Sequence, residues 1–189
     1  MEVTKQGTII RIDGLIDPLE LNQVLGWISQ NEGRFERSKI FFENFSEAQQ
    51  ETERRSSYSL FISKDNDVMI DSILYNVFKR ALAKYVETLS TLPIKVKDDE
   101  GYQVVRYLSD ENGKYDVHVD DHSASPRRVS GLLYLNSGYE GGELWFPAQD
   151  IKIKPQAGTI VMFPSGFEYP HASLPVTSGE KMVITTWYM

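Results

Sequence analysis

Cysteine is absent from the 189 residues of this chain, and histidine occurs only three times. The lack of cysteine excludes disulfides, thiolate nucleophiles and cysteine-held zinc or iron–sulfur sites, so histidine, aspartate or glutamate would have to bind any metal. Basic residues are also scarce, with 20 lysines and arginines against 27 acidic residues and a formal net charge of −7. Nucleic acids and anionic membranes bind cationic surfaces, so this charge argues against both as broad partners.

Long apolar segments are missing as well. Apolar runs such as Leu132–Leu135 are only four residues long, whereas a membrane-spanning helix needs about 18 or more. The first residues, Met1 to Thr4, lack the apolar stretch of a signal peptide. We therefore expect a soluble, cytoplasmic protein, and the length predicts a single domain spanning 1–189.

The first half of the chain predicts two helices. One begins at Asp17-Pro18, where a capping carboxylate precedes a proline at the first helical position, and the other follows an apolar stripe from Ile70 to Leu89. Between them, residues 34–64 lack a clear period and are predicted to be mostly irregular, which makes them a candidate substrate lid. Residues 1–99 are therefore interpreted as helical support with a candidate substrate loop.

The second half, 100–189, changes to short strand-like runs separated by turn residues such as Asn112-Gly113 and Gly141-Gly142. The predicted strands are 102–107, 115–120, 129–135, 143–146, 151–154, 159–163 and 181–188, with one earlier strand at 7–12. Many short strands at this spacing predict an α+β, mainly β fold, a sandwich or jelly roll with supporting N-terminal helices.

Two of the histidines lie in a pattern suited to metal binding. His118 and Asp120 are two residues apart in a strand-like run, so their side chains point to the same face. A later strand could bring His171 to the same point. Two imidazoles with one carboxylate form the facial triad of non-haem Fe(II) oxygenases, which leaves coordination positions open for a substrate and O₂. The third histidine, His122, is interpreted as a solvated loop residue.

Lys181 opens the last strand-like run and strengthens this interpretation. It shares a strand face with Val183, Thr185 and Trp187. An inward-facing lysine in a β core is unfavourable unless an anion pairs with it. The sequence therefore predicts an anionic ligand near Lys181.

At this point the sequence resembles the prolyl 4-hydroxylase type of 2-oxoglutarate and Fe(II)-dependent dioxygenases. The matching features are, in order, Tyr107, Tyr115-x-x-His118-x-Asp120, Arg127, Leu133-Tyr134-Leu135-Asn136, Gly141-Gly142-Glu143-Leu144, Pro155-x-x-Gly158, Phe163-Pro164-Ser165, His171, Pro175-Val176, Ser178-Gly179-x-Lys181 and Trp187-Tyr188. The resemblance covers 102–189 closely and the first half loosely. The stretch Arg54-Arg55-Ser56-Ser57 resembles the Arg-x-Ser region after the substrate loop of these enzymes.

The resemblance implies a double-stranded β-helix and a role for each matching residue. It implies Fe(II) as the metal, 2-oxoglutarate and O₂ as cosubstrates, ascorbate as a candidate additional ligand, and a proline-containing peptide or protein as substrate. The implied iron ligands are His118, Asp120 and His171; the implied cosubstrate residues are Lys181, Tyr107, Tyr134 and Thr185; the implied substrate residues are Tyr115, Arg127 and Trp187. Residues 100–189 would then be the metal- and cosubstrate-binding core.

Several alternatives stay open at the level of sequence. Arg128 could replace Arg127 after a shift of one residue. An enzyme of the same superfamily could hydroxylate another residue or a small molecule, and a catalytically silent jelly roll could use the same pocket for binding. Zinc also accepts two histidines and a carboxylate, so a zinc hydrolase is a further alternative.

Overall fold

A computed structural model describes residues 1–40, 53–122 and 126–189 of the chain. The helices are α1 (Pro18–Gln30) and α2 (Val68–Thr88). The strands are β1 (Glu2–Gln6), β2 (Ile9–Asp13), β3 (Glu36–Arg37), β4 (Arg55–Ser56), β5 (Tyr58–Ile62), β6 (Tyr102–Leu108), β7 (Lys114–His118), β8 (Val129–Tyr134), β9 (Glu140–Gly141), β10 (Leu144–Phe146), β11 (Ile151–Ile153), β12 (Ile160–Pro164), β13 (His171–Ser173), β14 (Val176–Ser178) and β15 (Glu180–Tyr188).

Two antiparallel sheets form the body of the fold. The major sheet has eight strands in the order β1-β2-β12-β8-β15-β6-β5-β3, and the minor sheet has five in the order β11-β10-β13-β7-β4. A short pair, β14 and β9, completes the strands of the described residues. Strands that are distant in sequence lie side by side, which is the arrangement of a jelly roll.

The helices cover the outer face of the major sheet. The α1 helix begins where the sequence predicts, because the Asp17 carboxylate accepts from Leu19 N at 2.7 Å and Glu20 caps in return. Buried side chains of α2, including Leu74 and Phe78, pack with Leu133 and Ile184 of the sheet into one apolar core. The opposite face of the same sheet points at the minor sheet and lines a second interior.

The predicted fold class is confirmed, and the strands that were predicted from the sequence lie within one or two residues of the observed bounds. The prediction of mostly irregular structure for 34–64 is wrong at β5, which pairs along its whole length with β6. Leu60 and Ile62 are buried in that pairing. The part of the candidate lid over 41–52 lies outside the described residues. The first half is also more than helical support, because β1, β2, β3 and β5 extend the major sheet.

None of the helices in the described ranges is long and apolar enough to cross a membrane.

Candidate active site

The predicted metal-binding side chains meet between the two sheets. His118 ends β7 and lies directly opposite His171, the first residue of β13, while Asp120 follows β7. His118 Nε2 is 3.6 Å from Asp120 Oδ1, and His171 Nε2 is 3.5 Å from Asp120 Oδ2. All three ligand atoms lie within 4.8 Å of one another. Three donors at this spacing on one side of a point can hold a single ion and leave its other side open.

Backbone carbonyls orient both imidazoles. His118 Nδ1 lies 2.8 Å from the carbonyl oxygen of Asp116, and His171 Nδ1 lies 3.1 Å from that of Tyr169. A carbonyl only accepts, so each Nδ1 carries the proton and each Nε2 presents its lone pair to the common point. Burial, together with the nearby His171, lowers the pKa of His118 to about 3. The ring is therefore neutral at physiological pH, as a metal ligand must be.

Ser130 bonds the Asp120 carboxylate, and Ser165 in turn contacts Ser130. Ser130 Oγ donates to Asp120 Oδ2 at 2.6 Å, and Ser130 Oγ lies 2.8 Å from Ser165 Oγ, with all three residues buried. Burial alone would raise the pKa of Asp120, but His171, His118 and the Ser130 hydroxyl lower it overall. Asp120 is therefore an anion in a fixed orientation, which suits a metal ligand.

A β-bulge brings Tyr115 to the same face as His118. Tyr115 pairs with Ser173 and His118 pairs with His171, so the register shifts by one residue between these pairs. The two rings stack with centroids 3.6 Å apart. Arg55 makes a cation–π contact with Tyr115, because its guanidinium carbon lies 4.6 Å from the Tyr115 ring centroid.

Lys181 lies at the inner end of the same cavity and is almost completely buried. Its Nζ donates to the carbonyl of Gly142 at 2.9 Å and to Ser173 Oγ, and it lies 4.4 Å from the Tyr107 ring centroid. Burial lowers the pKa of Lys181 to about 7. An ammonium group facing a cavity with no carboxylate bonded to it, among the residues described, is a binding point for an anionic ligand.

The other predicted cosubstrate residues line the same cavity as Lys181. Tyr107 and Tyr134 are buried and line the cavity, and Thr185 lines it farther along β15 with its hydroxyl 3.4 Å from the Gln103 carbonyl. Burial raises the pKa of Tyr107 and of Tyr134, so both phenols stay protonated and can donate.

At the outer end of the cavity, Arg127 and Trp187 form one unit. The Arg127 guanidinium carbon lies 3.8 Å from the Trp187 ring centroid. Arg127 also pairs with Glu100 at 2.6 Å and donates to the Asp120 carbonyl at 3.3 Å. The neighbouring Arg128 is exposed and does not line the cavity. Its alternative assignment is therefore not supported by the geometry.

One cavity of about 630 Å³ connects these groups, which is a normal volume for a ligand site. All ten residues predicted from the sequence line it: His118, Asp120, His171, Lys181, Tyr107, Tyr134, Thr185, Tyr115, Arg127 and Trp187.

The family assignment follows from residues 102–189, which match the 2OG-Fe(II) oxygenase superfamily. This segment contains the three metal-binding side chains and Lys181.

Residues 102–189 of the chain belong to the 2OG-Fe(II) oxygenase superfamily.

Relatives of this oxygenase carry prolyl hydroxylase names. A putative prolyl 4-hydroxylase of Acanthamoeba polyphaga mimivirus is 28% identical over 94% of this chain and 72% of its own length. Prolyl 3-hydroxylase 2 of Gallus gallus is 42% identical over 33% of this chain, but the chain spans only 10% of that protein. A solved prolyl hydroxylase from Trichoplax adhaerens, in complex with a hypoxia inducible factor peptide fragment, superposes with a TM-score of 0.73. It is 20% identical and covers 97% of this chain and 84% of its own, which confirms the predicted fold.

The donor set of this oxygenase fits the cofactors of its superfamily. Two neutral imidazoles and one carboxylate suit Fe(II), and the buried ammonium of Lys181 suits a carboxylate of 2-oxoglutarate. When bound together with O₂, this pair supplies the oxidising power to hydroxylate a C–H bond and yields succinate and CO₂. The protein itself supplies the metal-binding side chains and a cavity that contains both binding points.

Three features of the oxygenase site escaped the sequence interpretation. His122 is half-buried and lines the cavity, so its assignment as a solvated loop residue is wrong. Ser130 bonds the metal-binding carboxylate, and Ser173 bonds Lys181. Ser173 lies two residues after His171, a spacing that places both on one strand face and could have indicated its position. No local pattern pairs Ser130 with Asp120, because Asp120 follows β7 whereas Ser130 lies on β8, ten residues later.

Proposed function

We propose that this oxygenase hydroxylates a prolyl residue in a peptide or protein. The reaction takes one C–H bond, 2-oxoglutarate and O₂ to one C–OH group, succinate and CO₂. The observation that carries the proposal is the single cavity that joins the His118, Asp120 and His171 cluster to Lys181 at one end and opens toward Arg127 at the other. The prolyl hydroxylase names of the relatives support the choice of target residue.

The proposed roles follow the sequence of groups along the cavity. His118, Asp120 and His171 would hold Fe(II), and Lys181 would pair with the far carboxylate of 2-oxoglutarate. Tyr107, Tyr134 and Thr185 would add hydrogen bonds and shape around that cosubstrate. The supporting observation for Tyr107 is its ring contact with Lys181.

The outer residues are proposed to bind the peptide. Trp187 offers an aromatic face, and Arg127 is held flat against it by Glu100. Tyr115, stacked on His118, would close the space beside the metal. Proline packs well on aromatic faces because its ring is apolar and rigid. Ascorbate as an additional ligand and a cytoplasmic location stay predictions.

The test is the formation of succinate and of oxidised peptide. The protein is supplied with Fe(II), 2-oxoglutarate and air and offered a panel of peptides, each with a single proline. Mass spectrometry should show a gain of one oxygen on proline, with one succinate formed per hydroxylation. Oxidation at a different residue, with proline untouched, would contradict the proposed target and favour another hydroxylase of the superfamily.

Lys181→Ala tests the cosubstrate assignment in the same assay. Removing one partner of a buried charge pair should weaken 2-oxoglutarate binding by about 2–5 kcal/mol. Lys152→Ala is a matched control, because Lys152 is an exposed strand lysine outside the cavity lining. Unchanged 2-oxoglutarate affinity in Lys181→Ala would show that the ammonium does not bind the cosubstrate.

A further inference from the structure

Phe61 is the most exposed aromatic side chain among those lining the cavity. Its neighbours in β5, Leu60 and Ile62, are 1% and 7% exposed, whereas Phe61 is 68% exposed. The strand alternation turns Phe61 toward the concave face that lines the cavity. Phe61 therefore presents apolar surface to a ligand that occupies the cavity.

Arg34 holds the backbone of the strand at Phe61 in place. Arg34 donates to the Phe61 carbonyl at 3.2 Å and forms a two-bond pair with Asp67, both contacts at 2.8 Å. The ring is therefore presented on an ordered backbone. A preorganised apolar surface binds a partner with a smaller loss of conformational entropy.

Gln103 adds a second observation beside Phe61. The two residues are opposite each other in the pairing of β5 with β6. Gln103 is only 7% exposed and lines the cavity, yet its carboxamide makes no hydrogen bond to the residues within the described ranges. The carboxamide is therefore available to a ligand that enters the cavity. A carboxamide has one acceptor oxygen and two N–H donors, which match the N–H and C=O of a peptide backbone.

The sheet register gives the distance from this pair to the proposed position of the target residue. Phe61 pairs with Gln103, and Gln103 pairs with Thr185 of β15, two residues before Trp187. Two strand spacings of about 4.8 Å and two residues of about 3.4 Å separate Phe61 from Trp187 by about 12 Å. A peptide in an extended or polyproline conformation advances about 3.1–3.4 Å per residue. The separation therefore corresponds to three or four residues of substrate.

We propose that Phe61 and Gln103 form a specificity subsite for the peptide substrate. This inference rests on the proposed function. The subsite takes an apolar side chain, such as proline or leucine, three or four residues from the hydroxylated proline. Phe61 packs against that side chain, and Gln103 bonds the peptide group beside it. The oxygenase thus reads a second position of its substrate in addition to the target proline.

The experiment uses a set of designed peptides that contain a single proline as the hydroxylation target. Each has one target proline in a glycine- and serine-based background and one leucine, moved from six residues before the target to six residues after it. The unmodified protein should show its highest kcat/KM when leucine is three or four residues from the target on one side. Phe61→Ala should raise the KM for that peptide about tenfold and remove the preference, because the buried apolar contact is lost.

Three further variants separate a binding role from a structural one. Phe61→Tyr should keep the preference, since the aromatic face remains. Gln103→Met, which has nearly the same shape but no carboxamide, should raise the KM about three- to tenfold at every leucine position. Phe167→Ala is the matched control, because Phe167 is 81% exposed but does not line the cavity. It should leave the peptide kinetics unchanged.

The possible failures are distinguishable. If the unmodified protein hydroxylates peptides without any dependence on the leucine position, or if Phe61→Ala keeps the preference, the subsite is wrong and the proposed function stands. If no proline is hydroxylated in any peptide while another residue or molecule is oxidised, the proposed function fails and the subsite fails with it.

Discussion

The two faces of β15 have different functions: one packs in the apolar core, and the other lines the cavity. Successive residues of the strand alternate between these two faces. One face points at the helices and belongs to an apolar core that contains Ile184 and Tyr188. The other face points into the cavity and carries the ammonium of Lys181. The cavity-facing set is Lys181, Val183, Thr185 and Trp187, and the helix-facing set is Met182, Ile184, Thr186 and Tyr188.

Adjacent residues of β15 therefore contribute to different properties: one to the stability of the fold and the next to the binding site. Most of the helix-facing side chains are buried, and they are expected to supply hydrophobic stabilisation. The cavity-facing side chains include groups that are unfavourable to bury, and the fold tolerates them because the other face compensates. The predictions that follow test whether the two faces can be changed independently.

The largest expected effect concerns activity and Asp120, which lines the same cavity as this face of β15 but from another segment. Asp120→Asn keeps the size of the side chain but removes the negative charge that faces both histidines. We expect hydroxylation to fall below detection, with the free energy of unfolding of the metal-free protein changed by about 1 kcal/mol or less. Succinate formation and chemical denaturation measure the two quantities. Activity retained near the original rate would contradict the assignment of Asp120 as a metal ligand.

The next effect concerns the helix face and stability. Ile184→Ala removes three carbons from a fully buried position and should lower the free energy of unfolding by about 2–5 kcal/mol. The Kd for 2-oxoglutarate of the folded protein should not change. Thr185→Val, one residue along on the cavity face, should change stability by less than about 1 kcal/mol. Equal destabilisation by both substitutions would show that the two faces are not separate.

The smallest effect concerns pH and Lys181. Its pKa in the free protein is lowered to about 7 by burial, whereas an anion bound beside it raises that pKa. Below pH 7 the lysine is already charged, so its protonation adds no pH dependence to the affinity for 2-oxoglutarate. Above pH 7 binding must take up a proton, and the Kd should rise by up to about tenfold per pH unit.

Lys181→Arg provides the comparison, because its guanidinium stays charged throughout this range. Titration of 2-oxoglutarate into the Mn(II)-loaded protein between pH 6 and pH 9 should give a rising Kd for the original chain. The variant should give a flatter curve over the same range. Identical curves would exclude Lys181 as the titrating group.

The cavity face of β15 could be predicted because it depends on the period of two along a strand. His118 and Asp120 converge as predicted, although β7 ends at His118 and Asp120 lies beyond the strand. The amphipathic helices could be predicted for a similar reason, since each carries its own apolar stripe. These are local patterns, and any fold that buries one side of such a segment must respect them.

The strands at or next to the edges of the major sheet could not be predicted in this way. Glu2–Gln6 is almost entirely polar and exposed, and it forms a strand because β2 offers a complete set of backbone partners. Tyr58–Ile62 follows a polar segment and is defined by its pairing with β6. The serine contacts to Asp120 and Lys181 also depend on long-range packing. Such features are set by the partner segment and therefore leave little signal in the local sequence.

Because of the bulge in β7, the site depends on how many residues separate Tyr115 from His118, as well as on which residues they are. Tyr115 and His118 are three positions apart, and in a regular strand an odd separation would place them on opposite faces. The extra residue restores the parity, so both rings point inward and stack. Substitution at exposed Val117 preserves this count. Loss of one residue there would turn either the tyrosine or the metal-binding histidine to the outside, so this short segment tolerates changes of side chain but not changes of length.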